Sequence, residues 1–245
     1  MVNKRKSKAL VLALMLICLA SLPAWAGVEM QSGVPSPTIA SMDVPTQSDP
    51  SNIDTPTNAD TTTVGFGGKQ WKVIGYKADS GVYKGVINWS TGGGTEPNDS
   101  FMTLLLASGY TYLPDTTFGS DYVYNNSVLK SKMGDAYDAL RPAEQGLVLA
   151  RDLSTGVYNY TDITSWCDGV MTTEVTGARF WPLSTREASY VPTSVRVFSP
   201  GWWLRSPGDN SILAAYVYDV GSVFASGLDV DGLLAVRPAF NLRNR

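Results

Sequence analysis

The sequence contains no histidine and only two cysteines, and both shortages exclude familiar kinds of active site. Ser-His-Asp and Cys-His catalysis need an imidazole base, and many zinc sites use histidine ligands. Cys18 lies in a segment that is expected to be removed, so Cys167 has no partner for an internal disulfide. The sequence favours a buried, inert thiol at Cys167, with an intermolecular bridge or a reactive thiol as the alternative.

Charged residues are also sparse, and the formal net charge is −3. No basic block occurs after the first eight residues, so the chain lacks the usual electrostatic footprint of nucleic-acid binding. One long apolar run, residues 9–22, is too short for a membrane-spanning helix, and no stop-transfer pattern follows it. We therefore expect neither a nucleic-acid partner nor a membrane span.

Residues 1–26 have the three parts of a secretory signal peptide. A basic region at Lys4–Lys8 precedes the apolar run, and Ala24-Trp25-Ala26 has the small-x-small pattern of a cleavage site. A lipid anchor on Cys18 is disfavoured, because bulky Leu16 and Ile17 stand where lipoprotein signals need a small residue. The mature protein is expected to be exported, with a secreted, periplasmic or cell-surface location.

The rest of the chain divides into a linker and one domain. Residues 27–64 are rich in Ser, Thr, Pro, Asp and Asn and lack a periodic apolar pattern, which predicts a disordered linker. Residues 65–245 have the length of a single domain. The linker fits display on a stalk, and it fits equally a spacer in a secreted protein.

Local patterns in residues 65–245 predict short helices on a small, mostly antiparallel sheet, in an α+β, loop-rich fold. Capping residues mark helices at Ser127–Leu140 and Pro142–Gln145, and Ser184 with Glu187 forms a capping box for a third helix. Residues 156–175 look irregular. Strands are predicted at Gln70–Tyr76, Gly81–Trp89, Phe101–Ala107, Trp202–Arg205, Ala214–Tyr218, Ser222–Ala225 and Ala235–Leu242, with turns at Gly221 and Gly227.

Two motifs near the C-terminus bracket a segment of different composition. The motifs are Gly201–Gly208 and Val236–Leu242, and no Lys, Glu, Gln, Met or Trp occurs from Arg205 to Leu242. Binding surfaces are often built as loops on a rigid scaffold. We therefore interpret the motifs as framework and residues 209–234, called the insert below, as the binding surface.

These motifs resemble those of an uncharacterised bacterial domain family with W-W-L-R-S-P-G, A-A-Y-V, G-x-V and V-R-P-A-x-N-L. Here they are Trp202–Gly208, Ala214–Val217, Gly221–Val223 and Val236–Leu242. Weaker likeness extends to Phe66–Trp71, the helix from Ser127 and Leu183–Ala188. The resemblance implies an exported domain of C-type-lectin-like fold, close to the formylglycine-generating-enzyme subtype. The family's biochemical role is mostly unknown, and fold alone does not give a function.

The insert is also similar to the variable segments of diversity-generating retroelement proteins. Mutation of adenines in AAY codons there yields NNY codons, which cannot encode Lys, Glu, Gln, Met or Trp. A chance absence in a small strand-and-turn segment is the alternative. Large apolar residues stand where the family usually has Ser or Asn, and at Leu233 and Leu234 they could instead belong to the core. The other such positions are Ile212, Leu213, Tyr218, Val220, Phe224 and Leu228.

The sequence predicts a non-enzymatic domain that binds a protein or a glycan through the insert, with protein favoured. Tyr216 and Tyr218 qualify only if their shared strand face points outward. Trp202, Trp203, Arg205 and Arg237 are interpreted as framework, with both arginines bonded to carbonyls or carboxylates. The candidate ligand-binding residues are Asp209, Asn210, Ser211, Tyr216, Tyr218, Asp219, Ser222, Phe224, Ser226, Asp229 and Asp231.

Other chemistry has weaker support in the sequence. Glu96-Pro97-Asn98 matches the mannose-type lectin motif, but it comes early and no W-N-D motif follows. The four aspartates of the insert could ligate Ca²⁺, but they lack the D-x-D-x-D-G spacing of a calcium loop, so no cofactor is expected and calcium is the unsupported alternative. An enzyme of the formylglycine-generating type would need paired cysteines near the C-terminus. That enzyme, an unknown hydrolase and a structural envelope protein are the alternatives to a binding domain.

Overall fold

The computed structural model describes residues 63–79, 81–89, 94–107, 114–154 and 175–243. The predicted signal peptide, the predicted linker up to residue 62, Cys18 and Cys167 lie outside these ranges, as does the predicted irregular segment up to residue 174. Within the described ranges the chain has an α+β fold. Its sheets are antiparallel apart from an isolated parallel bridge between Trp202 and Ala235.

The strands are β1 Thr63–Phe66, β2 Lys69–Lys77, β3 Lys84–Gly85, β4 Phe101–Leu106, β5 Val148–Leu149, β6 Arg151–Leu153, β7 Val175–Ala178, β8 Trp202–Pro207, β9 Leu213–Val217, β10 Val223–Asp229 and β11 Ala239–Arg243. The helices are α1 Val128–Asp138, α2 Pro142–Gln145, α3 Thr185–Tyr190 and α4 Thr193–Arg196. A 3-10 turn at Tyr124–Asn126 precedes α1.

The largest sheet has the strand order β1-β2-β4-β11-β5, with β3 paired to β2. All six residues of β4 are buried, which fits its mostly apolar sequence, and the hydroxyl of its one polar residue, Thr103, donates to the Asn241 side chain at 2.9 Å. Aromatic rings fill the core beside β2 and β11. The ring of Phe240 lies 4.7 Å from those of both Trp71 and Phe180, measured between centroids.

The predicted helix-capping residues perform their expected roles. The Ser127 hydroxyl accepts a hydrogen bond from the Lys130 amide at 3.0 Å and begins α1. At α3, the Ser184 hydroxyl accepts from the Glu187 amide at 3.1 Å, and the Glu187 carboxylate accepts from the Ser184 amide at 2.9 Å. This capping box is confirmed. No helix in the described ranges is sufficiently long and apolar to cross a membrane.

A separate three-stranded sheet, in the order β10-β9-β8, carries most of the insert. Its hairpin turns through residues 218–222, where the Gly221 amide donates to the Tyr218 carbonyl at 2.8 Å. Gly221 has a φ of 87°, a conformation that favours glycine, so the predicted turn at this residue is confirmed. The prediction of a turn at Gly227 is wrong. That residue lies within β10, where the register with β9 shifts between Phe224 and Leu228.

Two predicted strands are much shorter in the structure, and β4 ends one residue before its predicted end. Of Gly81–Trp89, only the two residues of β3 pair. The last strand begins at Ala239 and not at Ala235. The Ala235 amide donates to the Gly201 carbonyl instead, and Pro238 has no amide hydrogen to donate to a ladder. β1 begins at Thr63, two residues before the predicted start of the domain.

Candidate functional site

Tyr216 of β9 and Tyr218, which directly follows the strand, lie on its solvent-facing side, although Ala214 on the same side is fully buried. Ala215 and Val217, which alternate with the tyrosines, are fully buried, whereas Tyr216 is half-buried and Tyr218 is 46% exposed. The exposed surface of these two residues is therefore on the side of the strand away from Ala215 and Val217. Tyr216 also packs against the hydrophobic core, whereas Tyr218 is exposed.

Three of the predicted residues form one aromatic cluster, defined as Tyr216, Tyr218 and Phe224. Phe224 is the cross-strand neighbour of Tyr216, and their rings stack at 5.2 Å with an interplanar angle of 17°. The Tyr218 ring meets Phe224 edge to face at 5.9 Å. Buried Trp203 stands behind Tyr216 at 6.4 Å, so the cluster rests on the framework.

Exposed large apolar side chains are concentrated in the insert. Within the described ranges there are nine, and five of them belong to the insert: Ile212, Tyr218, Val220, Phe224 and Leu233. Such concentration is a feature of interaction surfaces. Ile212, Val220 and Leu233 were absent from the predicted site, although their departure from the family pattern had singled them out.

The structure decides between surface and core for the two adjacent leucines. Leu234 is buried, and its backbone forms a bridge with Thr116, so the core interpretation is correct for this residue. Leu233 is 65% exposed, so the core interpretation is wrong for it. Leu213 and Leu228 are half-buried, and Leu228 packs against the core.

The remaining predicted residues lie at two places on the sheet. Asp219 and Ser222 belong to the hairpin turn beside the aromatic cluster. The other polar candidates lie where the segment after β8 meets β10 and the turn that follows it: the Asp209 amide donates to the Ser226 carbonyl, and the Val230 amide donates to the Ile212 carbonyl. This second group comprises Asp209, Asn210, Ser211, Ser226, Asp229 and Asp231, all of them exposed.

Two polar side chains of the second group stabilise their own turns. The Asn210 side chain accepts from the Ile212 amide at 3.0 Å, and the Asp229 carboxylate accepts from the Asp231 amide at 3.1 Å. Within the described ranges no three acidic or other metal-ligating side chains group together as a potential metal site. The geometry therefore gives these residues a turn-forming role, and Asp229 retains exposed surface.

Arg196 holds the hairpin from the framework side, a role that no local sequence pattern indicates. Its Nε donates to the Gly221 carbonyl at 2.7 Å, while Nη1 donates to the carbonyls of Ala188 and Val191. The Phe198 amide also donates to the Asp219 carbonyl at 3.3 Å. These contacts hold the turn through the backbone carbonyls of Asp219 and Gly221.

Arg237 in turn fixes the segment that carries Arg196. Its guanidinium donates to the carbonyls of Leu106, Val195 and Arg196 at 2.9, 2.7 and 3.1 Å. It also lies 4.9 Å from the Trp202 ring centroid, a cation–π distance. Burial lowers the pKa of Arg237, and the carbonyls and ring compensate the buried charge. The predicted framework roles of Arg237 and Trp202 are confirmed.

A second buried arginine, Arg205, anchors the start of the insert to α3. It donates through both terminal nitrogens to the Glu187 carboxylate and through Nε to the Ser154 carbonyl at 3.0 Å. Arg151 donates to the same carboxylate at 2.9 Å. Burial alone would raise the pKa of Glu187, but the two guanidinium groups and the capping hydrogen bond outweigh it and lower the pKa to about 2.

Residues of the mannose-type motif form bonds within the protein itself. The Glu96 carboxylate pairs with Lys77 at 2.9 Å, and the Pro97 carbonyl accepts from the same ammonium at 2.6 Å. These contacts tie the segment to β2, in a different sheet from the insert. The motif is therefore part of the framework of the larger sheet.

No protein-family model matches the chain, and comparisons with curated proteins and with solved structures give no significant match. The candidate site therefore stands on its own geometry.

Proposed function

We propose that this protein is an exported, non-enzymatic binding domain of C-type-lectin-like fold that displays the insert to a protein or glycan ligand. The supporting observation is the contrast between the two motifs and the segment between them. Both motifs are buried, from Gly201 to Gly208 and from Val236 to Leu242, whereas the insert holds most of the exposed large apolar side chains of the described ranges. Exposed aromatic residues supply large contact area at little entropic cost.

The contacts between the framework and the insert would allow side chains of the insert to be replaced. The framework bonds to the insert through backbone carbonyls and amides, at Asp219, Gly221, Val230 and Leu234. Backbone hydrogen bonds do not depend on side-chain identity, provided that the local conformation is kept. This arrangement suits diversification by a retroelement, which would change many side chains while the fold persists.

An array experiment tests the binding function. Glycan and extracellular-protein arrays would be probed with the wild type, with the double variant Tyr218→Ala/Phe224→Ala, and with Tyr122→Ala as a control for an exposed tyrosine outside the insert. We expect specific signals that the double variant loses by about 30-fold or more, as for an interface hot spot, and that the control keeps. Signals that are equal in all three proteins would contradict the proposal.

Diversification has a separate test in the gene. A near-repeat of the 3′ end beside a reverse transcriptase gene, with differences at adenine positions of the repeat, is the expected arrangement. Identical insert codons in many isolates, without such a repeat, would leave a binding domain with a fixed surface. A hydrolase panel that shows turnover by the purified protein would contradict the non-enzymatic assignment.

A further inference from the structure

A buried arginine in β6 has more hydrogen-bond donors than partners. The Arg151 side chain has no exposed surface, and its Nη2 atom donates to the Glu187 carboxylate at 2.9 Å. Its Nε and Nη1 atoms are buried without any hydrogen-bond partner. Buried polar groups are normally paired, because an unpaired one costs free energy. Two nitrogens of this guanidinium are therefore left for a partner that the described residues do not provide.

Two tryptophan side chains beside this guanidinium carry further unused donors. The ring centroids of Trp181 and Trp89 lie 4.7 and 5.5 Å from the Arg151 Cζ atom. The indole Nε1 atoms of both rings are also buried without a hydrogen-bond partner. Indole and guanidinium nitrogens donate hydrogen bonds and accept none. Three neighbouring side chains thus carry four unused donor atoms, and none of the three can accept a hydrogen bond.

Arg151 also lacks a carboxylate of its own. Within the described ranges its ion-pair partner is Glu187, and no other carboxylate there pairs with it. The same carboxylate accepts from both terminal nitrogens of Arg205, so its charge is divided between two cations. Burial lowers the pKa of Arg151, and the attraction of Glu187 offsets this effect only in part. A further negative charge beside Arg151 would complete the compensation.

The missing partner is defined by its size, its charge and its lack of hydrogen atoms to donate. A halide ion accepts several hydrogen bonds and donates none, which suits surroundings made of donors. A water molecule needs acceptors for its own hydrogen atoms and leaves the charge of Arg151 unchanged. An anionic group on a large ligand could not reach a fully buried guanidinium. A single ion needs only a local opening, and Trp89, which is half-buried, is the most exposed of the three side chains.

We propose that Arg151, Trp89 and Trp181 hold a small inorganic anion of the halide class, such as chloride, inside the domain. The ion would complete the network of Arg151, Glu187 and Arg205 that anchors the start of the insert. Because it binds the folded chain and not the unfolded one, it would stabilise the domain by mass action. The inference goes beyond the proposed binding function and does not depend on it.

Bromide would locate the ion, because its anomalous scattering distinguishes it from water. The purified protein would be crystallised from sodium bromide and, in parallel, from sodium methanesulfonate, which has a larger organic anion. We expect an anomalous peak in contact with Nε or Nη1 of Arg151 in the bromide crystals and no such peak in the others. A water molecule or an empty space at that place in the bromide crystals would overturn the inference.

Unfolding measurements would show whether the ion also binds in solution. The protein would be unfolded with urea in sodium chloride and in sodium methanesulfonate at equal ionic strength, since guanidinium chloride would itself supply the ion. For a dissociation constant of about 10 mM, about 100 mM chloride should raise the ratio of folded to unfolded protein about tenfold. Equal stability in the two salts would contradict the proposal.

Tryptophan variants assign the chloride effect to named donors. Trp181→Phe and Trp89→Phe each keep a ring beside Arg151 but remove one indole N–H. Each should weaken chloride binding about fivefold, as for the loss of one hydrogen bond, so that the tenfold effect falls to about threefold. Trp203→Phe is the control, because the Trp203 indole already donates to the Thr116 carbonyl at 2.8 Å. It should keep the full chloride effect, whatever stability it loses.

The arginine itself gives the strongest variant. Arg151→Met removes the charge and both unused guanidinium donors, so its stability should no longer differ between chloride and methanesulfonate. If this variant does not fold, the two tryptophan variants still decide the question. An undiminished chloride effect in both Trp181→Phe and Trp89→Phe would show that the ion binds elsewhere, and the assignment of the site would fail.

Discussion

At the scale of single residues, the Glu187 side chain joins three parts of the framework: the start of α3, β6 through Arg151 and β8 through Arg205. It caps α3, pairs with two buried arginines and lies beneath the strand that leads into the insert. Removing one partner from such a buried network leaves charges without compensation. That loss typically costs about 3–5 kcal/mol of unfolding free energy.

This network predicts how stability depends on pH. The pKa of Glu187 is about 2 in the folded protein and near its ordinary value of 4.5 when unfolded. The unfolded state therefore binds the proton more readily, so the stabilisation is complete above about pH 5 and is lost as pH falls toward 2. Chemical denaturation of Glu187→Gln should show a deficit of about 3 kcal/mol or more at pH 7 that narrows toward pH 2. A constant deficit across this range would contradict the assignment.

At the scale of elements, the hairpin turn depends on Gly221. Its φ of 87° is unfavourable for other residues, and an added Cβ would lie 2.6 Å from the Thr193 carbonyl oxygen. Gly221→Ala should therefore lower the free energy of unfolding by about 2 kcal/mol or more, measured by urea denaturation. It should also weaken ligand binding, because the turn positions Tyr218.

Gly134 in α1 provides a matched control. No atom lies within 4 Å of an added Cβ at this position, and alanine favours a helix interior over glycine. Gly134→Ala should raise the free energy of unfolding by up to about 1 kcal/mol and leave binding unchanged. Equal destabilisation by both substitutions would show that close approach at the hairpin is not the cause.

Elements with local chemical signals were predictable from the sequence. The caps at Ser127 and Ser184 are decided within one helical turn, and β2 and β4 have strong apolar patterns. Gly227 was assigned wrongly because a glycine in a bulge and a glycine in a turn look alike without the partner strand. Arg196 was missed because its role depends on carbonyls in residues 188–191 and 221, which only the fold brings together.

The candidate site was predictable in composition but not in arrangement. The absent residue types and bracketing motifs indicated the insert, and nine of the eleven predicted residues are exposed, while Tyr216 and Asp219 are half-buried. That Tyr216, Tyr218 and Phe224 form one cluster depends on the register between β9 and β10. The turn and buried Val217 fix that register, but local sequence patterns do not reveal which residues of the two strands pair.

At the scale of the whole molecule, fold and surface use different residues of the same segment. Ala214, Val217, Val230 and Leu234 of the insert are buried with the framework, whereas their exposed neighbours contribute little to the core. Substitution of exposed residues usually changes stability by less than about 0.5 kcal/mol each. Loss of a buried aliphatic group costs several times more.

Two libraries of insert variants would test whether the buried residues determine the fold and the exposed residues do not. In the first, Ile212, Tyr218, Val220, Phe224 and Leu233 are recoded together with NNY codons. In the second, Ala214, Val217, Val230 and Leu234 are recoded in the same way. Most members of the first library should fold, with a Tm within about 5 °C of the wild type, while most members of the second should fail to fold.

Protease resistance of the displayed protein, followed by sequencing, gives the folded fraction of each library. The framework holds the insert by hydrogen bonds to backbone groups. Members of the first library should therefore retain the hairpin, while their binding specificity differs from that of the wild type. Similar folded fractions in the two libraries would show that the exposed residues hold the structure. The insert would then be an ordinary part of the core, and the separation of scaffold from ligand surface would fail.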